Sequence, residues 1–117
     1  ALESVIIKDN AAKIKAKVVL EMANGPTTPE ADTLLYKKGI VLIPDILANS
    51  GGVTVSCFEW EQNLKGQHWT KADVNKKLKI KMGAASNAVW EAGKKHHTDL
   101  RTAAFVVALG RILKAMG

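Results

Sequence analysis

The chain has 117 residues, 47% of them hydrophobic and 24% charged, with a formal net charge of +6. That is enough for one domain with a modest core or for a piece of a larger one, and it excludes an intrinsically disordered chain. The single cysteine, Cys57, excludes an internal disulfide and a cysteine-based zinc site, while the lack of an apolar run of about 18 residues or of a signal-peptide start predicts a cytoplasmic protein with no membrane partner.

In chain order, residues 9 to 16 read as a short helix leading into "KVVLEMA" (17 to 23), whose length and β-branched pair predict a strand broken at "NGP". A helix follows over "TPEADTLLYKKG": Thr28 is the N-cap, Pro29 takes the first helical position, Glu30 and Asp32 lie in the first turn, and Gly39 ends it. "IVLI" (40 to 43) is a second strand, closed by Pro44. Strand, helix and strand in this order form a βαβ unit, so the fold class is α/β, with near-continuous apolar strands suited to a parallel sheet covered on both faces. Two strands are too few for a complete sheet of this kind, and the remainder is expected on the amino-terminal side.

The second half reads as helix throughout. One helix begins near Ser50. A second is opened by Thr70 and Asp73 in a capping-box pattern and carries an apolar stripe of Val74, Leu78, Met82, Ala85 and Val89 over residues 71 to 92. His96, His97 and Thr98 fall between helices without the spacing of a metal-ligand pair, so no metal site is predicted. The last helix runs from Asp99 to residue 116, and its stretch from Ala103 to Leu109 is apolar nearly all round, which asks for burial on more than one side. The lysines are scattered along these elements as solvated faces are, and nucleic acid is not expected as a partner.

Two polar clusters lie just beyond the two strands, where open parallel sheets bind ligands. Asn24 is either a turn residue of "NGP" or a ligand contact. Asn49, Val53 and Ser56 share one helical face if the helix starts near Ser50, and Gly51 and Gly52 would let a ligand approach the backbone. The plainer alternatives are that Asn49 caps the helix and that Ser56 bonds back to the carbonyl four residues before it. Cys57, among apolar and aromatic neighbours, reads as an inert packed thiol. Neither a complete catalytic triad nor a glycine-rich phosphate loop is present, so the chain offers no catalytic residue of its own.

The stretches "ANGPTTPEAD" (23 to 32), "IPDILANSGGVTVSCFEWEQN" (43 to 63) and "LRTAAFVVALGRI" (100 to 112) closely resemble, in order and separation, the carboxyl-terminal part of the glutamate dehydrogenase family. The resemblance extends over essentially the whole chain. It implies the carboxyl-terminal part of a Rossmann-like dinucleotide-binding domain, with residues 1–66 as the second half of that domain and residues 67–117 as helices that complete it and pack toward a substrate domain. The implied activity is the reversible oxidative deamination of L-glutamate to 2-oxoglutarate and ammonia with NAD or NADP, in a homohexamer when complete. By motif, Ala23 and Asn24 would meet the nicotinamide ribose, and Asn49 the nicotinamide and the substrate's amino end. Val53 would line the aliphatic part of the substrate pocket, and Ser56 would bind the side-chain carboxylate. The family's catalytic lysine and aspartate have no counterpart here, so the chain alone is expected to be inactive. Met22 stands where the family has a small residue, which puts the ribose contact in question unless its side chain turns toward the sheet, and Cys57 replaces an aromatic. The rival readings are a leucine, valine or phenylalanine dehydrogenase of the same superfamily, which the Ser56 hydroxyl disfavours, and a non-enzymatic basic binding module.

Overall fold

Alternation of side chains along the second strand organises the molecule. The computed structural model describes residues 2–117, in which β1 (Val18–Leu20) pairs in parallel with β2 (Val41–Ile43) in the register Val18 to Val41, Val19 to Leu42 and Leu20 to Ile43. Successive residues of a strand face opposite sides of the sheet. Leu42 accordingly enters one core with Ala11, Ala31, Leu35 and Ile40, and Ile43 packs against a second made by Leu47, Val89, Ala103 and Ala104.

The first core lies under α1 (Lys8–Ala11) and α2 (Pro29–Lys37). Helix α2 starts and stops as its sequence predicts: the Thr28 hydroxyl accepts the Ala31 N–H at 3.4 Å, Pro29 opens the helix, and Gly39 leaves it at φ +73°. The amino-terminal segment runs beside the loop after β1, with Ile6 bridging Thr27 in parallel. Two expectations were too long. The helix expected over residues 9 to 16 is a single turn, and β1 covers only Val18–Leu20, with the Glu21 N–H making a last bond to the Ile43 carbonyl at 3.1 Å.

The second core lies under α5 (Lys71–His96) and α6 (Leu100–Met116), reached from β2 through α3 (Asp45–Ala48) and α4 (Gly51–Lys65). The Thr70 and Asp73 capping box opens α5, where the Asp73 N–H reaches Thr70 Oγ1 at 3.2 Å and Thr70 N–H reaches Asp73 Oδ2 at 3.3 Å. Helix α5 continues to His96, four residues past the expected end, and His97 closes it in the left-handed conformation at φ +51°. The close α5–α6 turn depends on Gly93, where an added Cβ would lie 3.1 Å from Leu100 Cδ2. Phe58 and Trp69 meet with ring centroids 6.0 Å apart, and Lys77 Nζ sits 4.1 Å over the Trp69 ring, tying α4 to α5.

This second layer covers β2 and leaves β1 bare, since Val18 and Leu20, on the same face as Ile43, are about half exposed. Helix α6 likewise shows Phe105, Leu109, Ile112, Leu113 and Met116 to solvent. The radius of gyration is 16.5 Å, against roughly 13 Å for a compact domain of about this size. The open apolar faces and the extended shape have one cause: the helices have more apolar surface than two short strands can cover. Among the described residues no helix is long and apolar enough to cross a membrane.

Leu35 is fully buried at the centre of the first core, so Leu35→Ala is expected to lower the unfolding free energy by ~2–5 kcal/mol, checked by urea denaturation. A second expectation concerns Asp99, the N-cap of α6, which accepts the Thr102 N–H at 2.8 Å. Burial pushes its carboxyl up, but the Thr102 N–H and the Thr102 and Thr98 hydroxyls outweigh this and hold it below the usual carboxylate range. The stabilisation is therefore full above the unfolded-state value of about 4 and is lost as pH falls through the lower folded-state value. Asparagine caps a helix about as well as aspartate, so Asp99→Asn should keep the neutral-pH melting temperature and show a shallower acid limb between pH 5 and 2.

Candidate functional site

Both strands end toward the same edge, and two asparagines meet there. Asn49 Nδ2 donates to Asn24 Oδ1 at 2.7 Å, joining the loop after β1 to the junction of α3 and α4. The two amides border an open depression of about 500 Å3 that Glu3, Met22 and Ala23 complete. Met22 does not turn into the sheet; it is 63% exposed at the rim of this depression. The loop is tight because Gly25, at φ +55°, takes a left-handed conformation that side-chain-bearing residues rarely adopt.

Asn49 does not cap α4. It ends α3, its N–H bonded to the Asp45 carbonyl at 3.1 Å, while Ser50 takes the N-cap position of α4 and spends its hydroxyl on the Leu47 carbonyl at 2.8 Å. The side chain of Asn49 is thereby free to reach Asn24. The first N–H groups of α4 are left without side-chain capping, and a Cβ at Gly51 or Gly52 would meet nothing within 4 Å, so a polar group can come up to this backbone.

Val53 and Ser56 lie three residues apart on α4, one helical face, and both are exposed. The back-bond considered for Ser56 belongs to Thr54 instead, whose hydroxyl donates to the Ser50 carbonyl at 2.8 Å. Among the described residues the Ser56 hydroxyl makes no such bond. Cys57, expected to be packed, is exposed as well, because α4 presents Val53, Ser56 and Cys57 outward and packs through Phe58.

Behind the asparagine pair lies a charge cluster that no sequence motif announces. Arg101, in the first turn of α6, directs Nη2 to Glu21 Oε1 at 2.7 Å, Nε to Asp32 Oδ2 at 2.6 Å and Nη1 to Asp45 Oδ1 at 3.2 Å. The other carboxylate oxygens hold backbone: Glu21 Oε2 accepts the Asp45 N–H and Asp45 Oδ2 accepts the Gly25 N–H, both at 2.8 Å. Burial pushes the Asp45 carboxyl up, but the N–H groups of Gly25 and Ile46 and the Arg101 charge together hold it below its ordinary value. Burial opposes the Arg101 charge, but the Glu21 and Asp32 carboxylates outweigh it and hold the guanidinium protonated beyond its usual range. The signal available in the sequence was a glutamate in an apolar strand and an arginine just before the apolar run of α6, since charges buried in such runs are almost always paired. Partners 80, 69 and 56 residues apart cannot be matched from that signal.

A larger open groove of about 780 Å3 runs between α4, α5 and α6, but its wall is mainly apolar and its Ser50 and Thr54 hydroxyls are already bonded within the chain. Among the described residues no group of three or more His, Cys, Asp or Glu side chains is placed to hold a metal ion.

The family model for glutamate/leucine/phenylalanine/valine dehydrogenase matches residues 1–117. The NAD-specific glutamate dehydrogenase of Staphylococcus aureus (strain COL) is 47% identical over 115 residues, which are 98% of this chain and 28% of that protein. The crystal structure of glutamate dehydrogenase from Peptoniphilus asaccharolyticus superposes with a TM-score of 0.95 at 47% identity, over 99% of this chain and 29% of that one. The hetero-hexameric glutamate dehydrogenase of Thermus thermophilus, in a Leu-bound form, gives 0.91 at 32% identity over 97% of this chain and 27% of that one. L-tryptophan dehydrogenase from Nostoc punctiforme, at 22% identity and a TM-score of 0.77, shares the fold. The chain thus spans less than a third of the length of these relatives. With a match that runs from its first residue to its last, the chain belongs to the glutamate/leucine/phenylalanine/valine dehydrogenase family.

Proposed function

We propose that these 117 residues are the carboxyl-terminal part of a glutamate dehydrogenase that interconverts L-glutamate with 2-oxoglutarate and ammonia. Residues 1–66 are the second half of its Rossmann-like cofactor domain, and residues 67–117 complete that domain and pack toward a substrate domain. The observation that carries the reading is the hydrogen bond between Asn24 and Asn49 at the carboxyl ends of two parallel strands, the place where sheets of this class bind nucleotides. The bare β1 face and the exposed side of α6 support a larger body around the chain.

The site residues fit a nicotinamide cofactor. Ala23, Asn24 and Asn49 offer a small side chain and two amides around one depression, and the open start of α4 admits a polar group. When bound, the nicotinamide accepts the hydride from the substrate. NAD is the preferred form in this reading, because the Staphylococcus relative is NAD-specific. Met22 at the rim would flank the ribose and narrow its approach.

Val53 and Ser56 then read the substrate's side chain from one helical face. Val53 gives the methylene groups an apolar contact, and Ser56 donates a hydrogen bond to the distal carboxylate. The free Ser56 hydroxyl favours glutamate over leucine, valine or phenylalanine, whose side chains would leave it unpaired. The complete protein is a hexamer in this proposal, as the Thermus relative is in its hetero-hexameric form. In this proposal the catalytic lysine and aspartate belong to the substrate domain, outside these 117 residues, and the chain alone is inactive.

A chimera tests the reading: the 117 residues replace the corresponding segment of the Peptoniphilus enzyme. Glutamate-dependent reduction of NAD is the expected result, and faster turnover of leucine, valine or phenylalanine than of glutamate would move the assignment to a sister enzyme. In the same chimera Ser56→Ala removes a hydrogen bond to a charged group, worth ~1.5–3 kcal/mol. The kcat/KM for glutamate should fall by roughly ten- to a hundredfold or more while that for norvaline, which lacks the carboxylate, changes little. An unchanged ratio of the two constants removes Ser56 from the site.

A further inference from the structure

We propose that Asp45 and Arg101 are positioning residues for the Asn24–Asn49 pair, an inference that rests on reading that pair as the cofactor site. Each asparagine is anchored to Asp45 through backbone. The Asp45 carboxylate takes the N–H of Gly25, the residue after Asn24, at 2.8 Å, and the Asp45 carbonyl takes the N–H of Asn49 itself at 3.1 Å. One residue therefore sets the separation across which the two amides bond.

Asp45 is itself held from both sides. Arg101 Nη1 meets its Oδ1 at 3.2 Å, and Glu21 Oε2 receives its N–H at 2.8 Å. Because Glu21 also meets Arg101 Nη2 at 2.7 Å, the guanidinium fixes the Asp45 backbone through Glu21 and its side chain directly. The planar guanidinium bonds Asp45 through Nη1 and Glu21 through Nη2, one bond to each in a fixed mutual geometry that the point charge of an ammonium does not impose. The loop has a second restraint on the other side of Gly25, whose carbonyl accepts the Ser4 N–H at 2.9 Å.

The third arm of the cluster points elsewhere. Asp32 meets Arg101 Nε at 2.6 Å but belongs to the first turn of α2, and it makes no bond to either asparagine loop among the described residues. The cluster thus has two arms, Glu21 and Asp45, that serve the site and one, Asp32, that joins α2. That division separates positioning from stability.

The test uses the active chimera carrying Asp45→Asn, Arg101→Lys or Asp32→Asn, with KM for NAD, kcat and the melting temperature measured for each. Positioning predicts a KM for NAD raised roughly tenfold or more in Asp45→Asn and Arg101→Lys, and within about twofold of the parent in Asp32→Asn although its melting temperature falls. A purely structural role lowers the folded fraction, which reduces the apparent kcat and leaves KM alone; that pattern in all three overturns the proposal. If Arg101→Lys does not fold, the near-isosteric Asp45→Asn carries the comparison, and equal KM values in Asp45→Asn and Asp32→Asn overturn it. A parent chimera without glutamate-dependent activity overturns the site reading and this inference together, whereas an active parent with unmoved KM in Asp45→Asn overturns this inference alone.

Discussion

A single guanidinium shared by three carboxylates holds the chain's distant parts in register. Arg101 joins the end of β1 through Glu21, the start of α2 through Asp32 and the end of β2 through Asp45. The Glu21 side chain is fully buried and the other two acids are partly buried. Ions removed from water are tolerated only when their remaining lone pairs are met, and the loss of one member leaves its partners unpaired at a cost of ~3–5 kcal/mol. Three carboxylates face the one positive charge in this cluster, an excess of two negative charges. The N–H groups of Gly25, Asp45 and Ile46 absorb part of that excess, and Asp32 lies at the positive end of α2.

The cluster also explains why a helix so apolar begins with so polar a turn. Asp99, Arg101 and Thr102 occupy the first turn of α6 and its cap, where they bond to one another or across the sheet end. Beyond them Ala103 and Ala104 are buried, and their small size lets α6 approach both α5 and β2. Past that contact α6 runs on with Leu109, Ile112, Leu113 and Met116 exposed, an apolar surface without a partner in these residues. One helix thus anchors the sheet at its start and offers a packing face at its end.

Local signals in the sequence located most of the secondary structure. The Thr28 cap with Pro29 and the Thr70–Asp73 box both form, because each depends on groups three or fewer residues apart. The stripe from Val74 to Val89 is a buried or half-buried face of α5, with Ala85 and Val89 in the second core, for the same reason, since helical period is a local property. The parallel pairing of the strands was legible too, from the βαβ order. Failures arose where tertiary contacts decide. A short apolar neighbourhood in sequence did not bury Cys57, because α4 turns Phe58 inward and leaves the opposite face open. Nor was the partner of Asn49 legible, since neither capping nor the helix face reveals that a loop 25 residues away supplies it.

The site residues divide by the kind of support they receive. Val53 and Ser56 stand within the body of α4, where the helix's own hydrogen bonds fix the separation of their side chains and no distant contact is needed. Asn24 and Asn49 stand on connections, whose geometry local bonding does not determine. Connections ordinarily move more than the elements they join, so two amides held 2.7 Å apart on separate loops need an external frame. Asp45 supplies it by bonding both loops, and Arg101 ties Asp45 to the ends of both strands. The shared face of Val53 and Ser56 is thereby written into one helix and legible from spacing, while the Asn24–Asn49 pair depends on contacts that exist only after the sheet and α6 have come together.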